Sequence, residues 1–110
     1  MIYESGFENL SRLARFQSIL FDMTDTISRH RKKIDELDAQ ILDLIEQRVD
    51  EAINIRHLKI MQKIPLFTPA REQELINRLV NKSAGHLPAE VIKDIWMTII
   101  KGGKRIGDTQ

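Results

Sequence analysis

Arg48, Lys59, Arg71 and Glu72 have the residue types and spacing to hold a small polyanion. Ile27, Ile34 and Ile41 recur every seven residues; the next step lands on Arg48, and the one after returns to Ile55. An arginine therefore interrupts an apolar helical seam. Lys59 follows Arg48 by eleven residues. That is about three helical turns, so both cations project from nearly the same face, about 16 Å apart along the axis. Arg71 and Glu72 fall in the first turn of a later helix, where unpaired backbone N–H groups favour anions. A guanidinium grips both oxygens of a carboxylate with its planar fork, whereas an ammonium is a compact charge suited to one oxygen. A purely structural reading stands beside this one. Arg48 would snorkel or pair with Glu46, Asp50 or Glu51 on its own helix, and Arg71 and Glu72 would form a solvated first turn.

Arg31 precedes Arg48 by seventeen residues. In a straight helix it is rotated by about 100° and displaced by about 25 Å, too far for one small pocket. Two copies of the helix packed antiparallel would bring the start of one to the middle of the other, and Arg31 to the partner's Arg48. The cluster Arg29-His30-Arg31-Lys32-Lys33 also matches a short basic patch for nucleic acid or targeting. It has no interleaved aromatics, and the chain carries a net charge of only +1, from 17 basic and 16 acidic residues. We therefore expect no nucleic-acid partner.

The elements that must position these side chains are helical. Residues 28 to 62 lack glycine and proline and carry apolar residues at helical spacing, which predicts one long helix. Thr24 or Asp25 is placed to cap its start, and Ile64-Pro65 to end it, because the residue before proline avoids the helical region. About 35 residues of helix span roughly 50 Å, far more than a compact domain of this size, so another copy is the natural cover. A second helix opens at Thr68-Pro69, a side-chain cap followed by proline in the first turn, carries Leu75, Ile76, Leu79 and Val80 on one face, and ends near Ser83-Ala84-Gly85. A third opens at Pro88, carries Val91, Ile92, Ile95, Trp96, Ile99 and Ile100, and stops at Gly102-Gly103. Residues 1–27 are read as an extension, a short separate amphipathic helix with Phe7, Leu10, Leu13, Phe16 and Leu20, ahead of a domain at 28–110. No segment alternates as a strand.

The 110 residues suit a single domain, and 42% hydrophobic with 30% charged residues is ordinary for a folded helical protein. No cysteine is present, which rules out disulfides, thiol catalysis and cysteine-ligated metal. No apolar run reaches membrane-spanning length, and no export signal precedes the domain. These features predict a cytoplasmic protein with no membrane partner.

The stretch Arg31-Lys32-Lys33-Ile34-Asp35-Glu36-Leu37-Asp38, then Ile41-Leu42-Asp43-Leu44-Ile45-Glu46-Gln47-Arg48, then Lys59, then Pro65-Leu66-Phe67-Thr68-Pro69-Ala70-Arg71-Glu72 resembles the all-helical, type II chorismate mutases. The resemblance runs from residue 28 to about 100. It implies an all-α fold of three helices, one long and two shorter, intertwined as a homodimer. Each site would be completed by an arginine of the second copy. Carried over by position, Arg48 and the partner's Arg31 would bind the two carboxylates of chorismate, Lys59 the ether oxygen, and Glu72 with the backbone near Thr68 the ring hydroxyl. Arg71 would support the site electrostatically. The family's last helix commonly carries a serine and, four residues later, a glutamine that also donates to the ether oxygen. Those places fall here on Gly103 and Gly107. The tail Gly102-Gly103-Lys104-Arg105-Ile106-Gly107 resembles a short actinobacterial subgroup whose members depend on a shikimate-pathway partner, a DAHP synthase.

The implied reaction is the Claisen rearrangement of chorismate to prephenate, which uses no metal, cofactor or nucleophile. Two readings on the same fold remain, a lyase releasing pyruvate from isochorismate and a mutase acting on 4-amino-4-deoxychorismate. A third is a weakly active module that depends on a partner enzyme.

Overall fold

The protein consists of three helices, α1 (Ile2–Gln62), α2 (Pro69–Lys82) and α3 (Ala89–Thr109), in a computed structural model. It describes the backbone of residues 2–109 and the side-chain surroundings of residues 10–107, so Phe7 lies outside the described side chains. By contact the chain separates into two units, Met1–Leu42 and Asp43–Gln110.

The described residues of the first unit, from Ile2 on, are all helix. The expected boundary near residue 25 is absent: the residues read as a short separate helix are the first turns of α1. Between Phe7 and Pro65 there is no glycine or proline, so nothing breaks the backbone ladder. Thr24 does not cap. Its hydroxyl donates back to the Leu20 carbonyl at 2.9 Å, as Thr26 does to Asp22 at 2.8 Å. Asp25 instead accepts from Arg29 one turn on, at 2.8 Å. Leu13, Phe16, Leu20, Ile27, Ile34, Leu37 and Ile41 are all exposed on this helix.

In the second unit, α1 ends where the proline rule placed it, through a specific cap. Ile64 N–H donates to the Lys59 carbonyl at 2.9 Å and Lys63 N–H to Ile60 at 3.2 Å, with Lys63 in the left-handed region at φ 58°. This pair of bonds is the Schellman arrangement, normally built around glycine. It ties down the carbonyl of Lys59 itself. The Thr68 side chain makes no cap bond to α2, contrary to expectation; its carbonyl does the work, accepting from Arg71 at 3.1 Å and Glu72 at 3.4 Å. Pro69 supplies the first-turn residue that has no N–H to satisfy.

α2 packs against α3. Ile76 from α2 and Ile92 and Ile100 from α3 are the buried apolar residues among those described. Ser83 closes α2 in extended conformation, and Gly85 turns the chain at φ 88°, where a side chain would be strained. α3 begins after Pro88, whose carbonyl accepts from Val91 and Ile92. It does not stop at Gly102-Gly103 but continues to Thr109. A glycine ends a helix when it turns left-handed, and Gly85 is the glycine with positive φ among the described residues.

Candidate functional site

The second unit contains a cavity of about 310 Å³, the size range of small-ligand pockets. Its first wall is the C-terminal third of α1, which presents Arg48, Glu51, Arg56 and Lys59. Its second is the start of α2, with Thr68, Arg71 and Glu72. The third is the end of α3, with Gly103, Lys104 and Gly107. Basic side chains outnumber acidic ones in this lining: Arg48, Arg56, Lys59, Arg71 and Lys104 face only Glu51 and Glu72. Ile55, Leu66, Leu75 and Ile100 supply an apolar floor, so the cavity pairs a greasy surface with converging cations, which suits a ring bearing carboxylates.

Five of the six expected site residues, Arg48, Lys59, Thr68, Arg71 and Glu72, share this cavity. Arg31 does not line it; it lies exposed on the first unit. Arg48 and Lys59 are half-buried. Neither side chain has an ion pair or hydrogen bond with any described residue, so the structural alternative of pairing with Glu46, Asp50 or Glu51 is not how Arg48 sits. Two partly desolvated cations facing one cavity strongly favour an anion there. Arg71 reaches Glu74 at 3.7 Å, with both side chains more than half exposed, a contact worth little. It remains able to serve the cavity.

Glu72 is engaged. Lys104 Nζ lies 2.6 Å from its Oε1, and the same ammonium sits 4.4 Å from the centre of the Phe67 ring. Arg56 and Lys104 are lining residues that the sequence reading passed over. Arg56 was detectable: it follows Arg48 by eight residues and precedes Lys59 by three, both helical spacings on one face. Lys104 had no such signal, because its place depends on α3 continuing past Gly103. Gly103 and Gly107, where the resemblance predicts missing side chains, are both buried against the cavity.

The family profile for chorismate mutase type II matches residues 30–107. The chain belongs to this family. Among family relatives, a bifunctional chorismate mutase/prephenate dehydratase of Aquifex aeolicus is 34% identical over 74 residues, which cover 64% of this chain and 20% of that protein. A chorismate mutase of Methanocaldococcus jannaschii is 37% identical over 57 residues, covering 52% of this chain and 58% of that one. The chain thus spans a fifth of the first relative and just over half of the second. In three dimensions it is similar to a chorismate mutase of Thermus thermophilus (TM-score 0.73, 27% identity, covering 76% of this chain and 96% of that chain). It is also similar to one of Helicobacter pylori solved with prephenate (TM-score 0.70, 28% identity, covering 77% and 92%). The type II chorismate mutase match begins at residue 30, part-way along α1. Among the described residues, no helix is long and apolar enough to cross a membrane.

Proposed function

We propose that this protein is a chorismate mutase, converting chorismate to prephenate by a unimolecular Claisen rearrangement. The observation that carries the reading is the pair Arg48 and Lys59, half-buried, unpaired among the described residues and facing one small cavity. In this reaction the ether C–O bond breaks while a C–C bond forms, and negative charge grows on the ether oxygen. No proton moves. Catalysis then consists of holding the compact chair-like conformer and stabilising that charge.

In this reading Arg48 clamps one carboxylate with its fork, Lys59 meets the ether oxygen, and Glu72 with the backbone at Thr68 receives the ring hydroxyl. Arg71 adds positive potential. The second carboxylate is bound by Arg31 of a second copy, so the working unit is a homodimer. Support for the dimer comes from the heptad residues Ile27, Ile34, Ile41 and Ile55, each about half exposed on the single chain. Such a stripe is too apolar to face water over several turns.

The test is to incubate the purified protein with chorismate and identify the product by NMR while following its rate. Prephenate supports the reading. Release of pyruvate and a hydroxybenzoate from isochorismate, with no turnover of chorismate, would replace it with the lyase.

A further inference from the structure

Lys104 bridges the cavity from α3 to α2. Its ammonium is held from two sides, by Glu72 at 2.6 Å and by the Phe67 ring at 4.4 Å. Glu72 is the less accessible partner, with 22% of its side chain exposed against 45% for Lys104. An ionised carboxylate offers about four lone-pair sites, and the lysine takes one. Glu72 can therefore still accept a hydrogen bond from a neutral donor in the cavity. Its charge, however, is already compensated, and a second ammonium arriving at Glu72 would meet Lys104 at close range.

We propose that Lys104 determines which ring substituent the site accepts: by neutralising Glu72 it admits a hydroxyl and rejects an ammonium. The inference rests on the chorismate reading and makes it more specific, since 4-amino-4-deoxychorismate differs from chorismate at that substituent. Discrimination here comes from a built-in repulsion rather than from an added attraction. Without Lys104, an uncompensated Glu72 carboxylate would draw the cation more strongly than the hydroxyl.

The experiment measures kcat/KM for chorismate and for 4-amino-4-deoxychorismate, with the amine protonated, in the wild-type protein and in Lys104→Gln and Lys104→Arg. The wild type should prefer chorismate. Lys104→Gln should shift the ratio toward the amino compound by tenfold or more, and Lys104→Arg, which keeps the charge, should stay near the wild-type ratio. If Lys104→Gln loses its helical circular dichroism, Lys104→Met, which keeps the stem without the charge, gives the same comparison. Equal losses on both substrates would overturn the inference, since a structural role lowers both alike. A wild-type protein that turns over neither compound sinks the underlying reading and this inference with it. Activity on chorismate with an unmoved ratio sinks this inference alone.

Discussion

Gly107 lies so close to Arg56 that a Cβ added to the glycine would stand 3.1 Å from Arg56 Cδ. The missing side chain on α3 is therefore the space that the arginine stem of α1 occupies. At Gly103 an added Cβ would meet nothing within 4 Å. Alanine should raise helix stability at position 103 by about 0.5–1 kcal/mol. At position 107 the same substitution should displace Arg56 and lower kcat/KM. Thermal melts and steady-state rates check both; a Gly107→Ala protein with wild-type turnover would show that Arg56 is not needed where it stands.

Arg48→Ala should lower kcat/KM by about a hundredfold or more, the loss expected when a half-buried cationic donor to the substrate is removed. Helical circular dichroism should persist, because Arg48 has no ion pair among the described residues to orphan. Unchanged turnover would put the substrate elsewhere.

Lys59→Ala should reduce kcat more than it weakens substrate binding, because a donor at the ether oxygen matters most as charge develops. Lys59→Gln, a neutral donor of similar reach, should recover part of the rate. A raised KM with normal kcat would mean that Lys59 only attracts the dianion.

Lys63 holds a left-handed conformation at the end of α1, at φ 58°. Lys63→Gly removes that strain and should stabilise the fold by about 0.5–1 kcal/mol after the entropic cost of glycine in the unfolded chain. Urea unfolding measures it, and a destabilised variant would contradict the cap geometry.

Sedimentation of the native protein should give twice the 12.8 kDa chain mass. Ile34→Glu or Ile41→Glu, each placed on the exposed seam, should shift it to monomer and abolish turnover together. A native monomer would remove Arg31 from any site.

Local signals were legible wherever the responsible atoms are near in sequence. Pro65 and Pro69 mark the end of α1 and the start of α2, and the spacing of Arg48 and Lys59 places both on one cavity wall. Local signals also misled. Thr24 has the chemistry of a cap, but an uninterrupted helical ladder upstream turned its hydroxyl back on Leu20. Gly102-Gly103 has the composition of a stop, yet a glycine is permissive rather than directive and takes whichever backbone the surrounding packing favours.

By itself, the sequence determined an all-helical chain with a cationic interruption in an apolar seam. These properties follow from periodicity, proline and side-chain charge within a few turns. Only the tertiary structure decided that α3 runs on to Thr109, that Lys104 neutralises Glu72, and that the Arg56 stem fills the space left at Gly107. The two contacts join residues more than thirty positions apart, and they, like the length of α3, depend on how the helices pack, which no short window of sequence encodes.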